Sequence, residues 1–267
     1  MKNSVFWRAM AAAWALAFDA ALPRSWRPDE EQTGKSAAGT VPVPPEFIVC
    51  ALPLGGVVWA LAAWLLSRLL DGTAPETGGA VLFALILTIA SEWRTSSRGL
   101  ALTASVGEAL LSGEKWRAAM EGRQATVRKL TGPYANLLVM ALLAAKFFAL
   151  FECYAAKHPG FAGVALVAAL TVEGVMAVQP PCDGGAPMIA GGSTPYAVVW
   201  VGGFLLLFSF VYLPLPTLLT AGAAGFLTWI FANERQCVAG RLVSDDMTLA
   251  GYVTEWLALF FALLLVR

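Results

Sequence analysis

Between two blocks of membrane-grade hydrophobic sequence, residues 92–129 form a polar stretch in which Arg98, Leu102 and Ser105 stand four and then three apart. Residues so spaced share one face of a helix. Carboxylates at such positions would hold a hard divalent cation such as Mg²⁺, which takes oxygen ligands. Here the three positions carry a guanidinium, an isobutyl group and a hydroxyl, which cannot do this. Arg98 keeps one relevant capacity, because its planar fork donates to phosphate oxygens in pairs. The alternative is an interfacial Arg98 facing lipid headgroups. Acids that could stand in as metal ligands are Glu92, Glu108, Asp245, Asp246 and Glu255. Glu108 follows Ser105 by one helical turn, on roughly the same face.

From Ser96 the chain reads S-S-R-G-L-A-L-T-A-S-V. This resembles, without a gap, the H-L-D-G-L-A-D-T-x-D-G motif of the adenosylcobinamide-GDP ribazoletransferases (cobalamin 5'-phosphate synthases). Gly99, Leu100, Ala101 and Thr103 stand where that motif has the same residues, and Arg98, Leu102 and Ser105 stand where it has aspartates. Other segments are similar too: the aromatic opening helix ending at Leu22-Pro23, the A-L-P-L start of the first long helix, EKWRAAM and AAKFFAL. Against the family's D-S-R-x-G this chain has E-G-R-Q-A-T, where Arg123 matches with a one-residue slip and is a candidate phosphate ligand. Gly240, Asp245 and Glu255 match the family's C-terminal pattern, whereas Glu173-Gly174 falls where a Gly-Arg pair is expected.

The resemblance implies a membrane enzyme that joins adenosylcobinamide-GDP to α-ribazole or its phosphate, releases GMP and needs Mg²⁺. It also implies a corrinoid-GDP substrate and other cobalamin-assembly proteins as partners. With the motif aspartates replaced, the expectation is impaired or lost metal-dependent activity. The alternatives are a catalytically inactive membrane scaffold or subunit, and a small transporter with Lys146, Glu152 and Glu173 as pathway charges. Simple inter-helix hydrogen bonding is the plainer reading of those three residues.

Composition sets the elements that must position this chemistry. Hydrophobic residues make up 58% of the chain and charged ones 13%, against roughly a quarter charged in soluble domains, which points to the bilayer. A formal net charge of +0 argues against a nucleic-acid surface. The single histidine, His158, gives poor material for a histidine-ligated metal or a Ser-His-Asp triad. Cys50, Cys153, Cys182 and Cys237 form no C-x-x-C pair, so a zinc site is not expected.

The expected fold is all-α: a polytopic membrane bundle of about seven transmembrane helices plus an N-terminal interfacial helix. It forms a single integral membrane domain over residues 1–267. Residues 1–46 comprise an interfacial helix (Phe6–Leu22) and a polar loop, and residues 92–131 form a cytoplasmic motif stretch. Expected spans are Phe47–Leu70, Tyr134–Ala156, Phe161–Val178, Tyr196–Leu213, Leu215–Asn233 and a C-terminal segment ending near Val266. Gly78–Ser91 is short for a crossing and either extends into the motif or stops inside the membrane. The loop 179–195 carries one acid, Asp183. Arg94, Arg98, Lys115, Arg117, Arg123, Arg128 and Lys129 place the motif stretch on the cytoplasmic side of an inner membrane. Counting spans then puts Asp245, Asp246 and Glu255 near the motif.

Overall fold

The computed structural model describes residues 51–95, 97–115, 119, 133–178, 199, 201–207, 213–237 and 244–265. Every regular element among them is a helix: α1 (Leu54–Thr73), α2 (Glu76–Arg94), α3 (Arg98–Leu111), α4 (Pro133–Ala155), α5 (Phe161–Val178), α6 (Pro214–Cys237) and α7 (Ser244–Leu265). Residues 201–207 are helical as well. Prolines mark the starts. Pro53 and Pro75 precede α1 and α2, while Pro133 and Pro214 open α4 and α6, where a missing N–H costs no helical hydrogen bond.

Four helices are long and apolar enough to cross a membrane: Leu54–Thr73, Glu76–Arg94, Tyr134–Ala155 and Met247–Leu265. Phe161–Met176 and Pro214–Ile230 are shorter apolar helices. α2 resolves the ambiguity of Gly78–Ser91. It runs for 19 residues, or about 28 Å at 1.5 Å per residue, and it ends before the motif. The expected Phe6–Leu22 helix, the 24–45 loop, Arg123, the 179–195 loop and Gly240 lie outside the described residues.

The distribution of polarity is that of a bundle solvated by hydrocarbon. Leu61, Leu65 and Leu69 on α1, Leu82, Leu85 and Ile89 on α2, and Leu137, Met140 and Phe148 on α4 are exposed. A soluble monomer rarely shows apolar faces this continuous. Glu92, Arg94, Lys146, Glu173 and Glu255 are buried instead. α7 is central, packing against α3, α4, α5 and α6, while α1 lies against α5 and α2 against α4.

Small residues set the closest approaches. A Cβ on Gly163 of α5 would lie 2.6 Å from the Ala60 backbone nitrogen of α1, and one on Gly56 would lie 2.5 Å from the Val167 nitrogen. Lipid is as apolar as a leucine face, so α1 and α5 gain from contact through close van der Waals fit rather than from leaving water.

One end of the bundle is tied by a compact cap. Lys157 adopts a left-handed conformation (φ 62). The His158 and Lys157 amides donate back to the carbonyls of Cys153 (2.8 Å) and Tyr154 (2.9 Å), which closes α4 with a Schellman turn. The Tyr154 hydroxyl donates to Asp71 Oδ1 at 2.7 Å, and Lys157 reaches Asp71 (3.5 Å) and Glu76 (3.7 Å). The α1–α2 turn is thereby fastened to the end of α4. Tyr154→Phe is expected to lower Tm by a few degrees in detergent, by removing one hydrogen bond of the cap. Comparing thermal melts of the two proteins checks this.

Candidate functional site: a buried charge cluster beside the motif helix

The motif begins a new helix. α2 stops at Arg94, and Ser97 takes a left-handed conformation (φ 57). The Ser97 amide donates to the Glu92 carbonyl at 2.7 Å and the Arg98 amide to the Thr95 carbonyl at 2.9 Å. α3 then runs along α4 and α7. Of the three positions aligned with motif aspartates, Arg98 is exposed while Leu102 (0% exposed) and Ser105 (4%) are buried. Leu102 packs in one core with Val172 and Met176 of α5 and Leu249 of α7. The Leu102 isobutyl group is part of the interior and presents no oxygen there.

The frame residues have packing roles. A Cβ on Gly99 would come within 2.6 Å of the Tyr252 ring, so the glycine lets α3 press against α7. Leu100 is buried, Ala101 and Thr103 are half-buried, and the Thr103 hydroxyl donates to the Gly99 carbonyl at 2.8 Å. Glu108, a candidate metal ligand, accepts a hydrogen bond from the Ala135 amide at 3.1 Å. It satisfies an open N–H in the first turn of α4, where a carboxylate also suits the helix dipole.

Next to this helix lies the most strongly charged part of the described interior. Lys146 of α4 donates to Glu92 Oε1 of α2 at 3.0 Å and pairs with Glu255 Oε1 of α7 at 3.0 Å. The other oxygen of Glu255 accepts from Arg94 Nη2 of α2 at 3.2 Å. Arg94 Nη1 approaches Glu173 Oε1 of α5 at 3.9 Å. The Tyr252 hydroxyl donates to Glu92 Oε1 at 3.1 Å, and its ring lies 5.0 Å beneath the Lys146 ammonium. The result is a chain of alternating sign, Glu173–Arg94–Glu255–Lys146–Glu92, that joins four helices. Gly251 makes room for it, since any side chain there would meet Glu173.

Lys146 makes the expected inter-helix hydrogen bond, to Glu92, whereas Glu173 has only the longer approach to Arg94. Glu152 is half-buried in the last turn of α4 and takes no part. Of the acids offered as metal ligands, Glu255 and Glu92 sit inside the ion-pair chain and Glu108 sits at the α4 start. Asp245 and Asp246 fall in the first turn of α7, and their side chains lie outside the described residues. Among the described residues no three His, Cys, Asp or Glu side chains gather as a metal-binding group. Arg94 and Tyr252 were not anticipated as site residues. The signal available in the sequence was the position of Glu92 and Arg94 at the end of an apolar run, where a helix is long enough to carry both into the interior.

Comparison with protein families, curated proteins and solved structures finds no match for this chain.

Proposed function

We propose that this chain is a multi-pass inner-membrane protein, with about seven spans, derived from the ribazoletransferase line. In this reading it has given up metal-dependent transfer and serves corrinoid assembly as a non-catalytic membrane subunit or scaffold. The observation that carries the reading is the fate of the carboxylate positions. Leu102 is packed into the core, and the interior carboxylate of Glu255 is bonded through both oxygens to Lys146 and Arg94. A carboxylate already neutralised by two cations is a poor ligand for Mg²⁺, because binding the metal would strand an ammonium and a guanidinium in the interior. The sequence frame around Gly99 supports the kinship.

The test is product formation. Folded protein given adenosylcobinamide-GDP, α-ribazole and Mg²⁺ is expected to release no GMP, and its Tm is expected not to move on adding Mg²⁺. GMP release would overturn the loss of chemistry. A Mg²⁺-dependent stabilisation abolished by Asp245→Asn would point to a relocated metal site. The scaffold role predicts that adenosylcobinamide-GDP or a cobalamin-assembly enzyme binds the reconstituted protein; binding of neither would remove the corrinoid context.

A further inference from the structure

We propose that the buried cluster is a proton-binding site: its three carboxylates face two cations, and it holds one proton, carried by Glu173. This inference is independent of the ribazoletransferase kinship and needs only the side-chain geometry.

The first observation is a count over the described residues. Glu92, Glu173 and Glu255 oppose Arg94 and Lys146, so one negative charge is left over when all five are ionised. All five side chains are at least nine-tenths buried or, for Glu173, nearly so at 11% side-chain exposure. An unmatched charge in such surroundings is costly, and taking up a proton is the usual way it is removed. The second observation is an open valence: Glu92 Oε2 is buried without a hydrogen-bond partner. By charge, the cluster is short of a proton or cation rather than of an anion.

Geometry selects the carboxylate. Glu255 receives a cation on each oxygen, at 3.0 and 3.2 Å. Glu92 Oε1 receives both Lys146 (3.0 Å) and the Tyr252 hydroxyl (3.1 Å). Glu173 has one approach, Arg94 at 3.9 Å, which exceeds hydrogen-bonding range. It is the carboxylate whose charge is least compensated.

The one facing cation is shared. α7 places the Glu255 carboxylate on the same guanidinium, and Arg94 of α2 engages it more closely, at 3.2 Å, than Glu173 at 3.9 Å. Lys146 of α4 is committed to Glu92 and Glu255. The described side chains of α6 include no titratable group, and the charged residues of α1, Arg68 and Asp71, lie at its far end with the cap.

Infrared spectroscopy of the full chain in detergent or lipid reads this directly. At neutral pH the wild-type protein is expected to show the carbonyl stretch of a protonated carboxylic acid, shifted in D₂O. Exposed carboxylates are ionised there and do not contribute. The band is expected to be absent from E173Q, to shift in E173D and to persist in E152Q. E173Q, which imitates the protonated acid, is expected to melt with the wild-type protein at neutral pH. Absence of the band from the wild-type protein would overturn the proposal, and so would its loss in E152Q or an unshifted band in E173D. E152Q, E173D and the wild-type spectrum decide the matter even where E173Q does not fold.

Discussion

Lys146→Met is expected to destabilise the protein by about 3–5 kcal/mol, the cost of breaking a buried ion pair from one side. Methionine keeps the length and apolar stem of lysine, so packing against the Tyr252 ring changes little and the effect reports charge. What remains is Glu92 with only the Tyr252 hydroxyl, and Glu255 and Glu173 sharing Arg94. Three carboxylates would then face one cation. The measurement is reversible unfolding in mixed micelles, or the loss of monodisperse protein on heating. Lys146→Met combined with Glu92→Gln should recover part of the loss, since the second change removes a charge the first left unmatched. That non-additivity is the signature of direct coupling. An additive double variant would mean that Lys146 and Glu92 do not interact.

Gly163→Leu is expected to cost about 3 kcal/mol, at the upper end for overpacking a tight interface. The atoms in the way belong to the Ala60 backbone, which cannot rotate aside as a side chain can. α1 must therefore move away from α5, opening the neighbouring contact between Gly56 and Val167 as well. The same denaturation experiment checks this. Gly222→Leu serves as the control, because a Cβ there meets nothing within 4 Å.

The all-helical architecture and several helix limits were legible in the sequence because they depend on local quantities. Runs of leucine and alanine of bilayer length specify α4 to within a residue at each end and the far end of α7, whereas α1 runs over Leu54–Thr73 rather than from Phe47 to Leu70. The end of α2 was harder. Glu92 and Arg94 look like the beginning of a polar loop, and only their ion pairs across the bundle show them to be the last interior turn of a helix. The site was less legible still. Lys146 meets Glu92 across 54 residues of chain, and Arg94 meets Glu255 across 161. Nothing in the spacing of one helix records which face of another it will meet. Gly99 of the motif frame is explained by its contact with Tyr252, and Leu102 packs in the core on the inward face of α3, contacts that the motif spacing alone does not specify.

The alternating chain of charges has a consequence for how the molecule is put together in the bilayer. Greasy helices slide and rotate past one another in lipid at little penalty, since most registers bury comparable surface. Here only one azimuth of α7 brings Glu255 between Arg94 and Lys146, and α7 is the last of the described helices to leave the ribosome. Until it arrives, Arg94 and Lys146 lack the carboxylate that bridges them. Synthesis of α7 thus supplies the keystone that locks the order of the bundle.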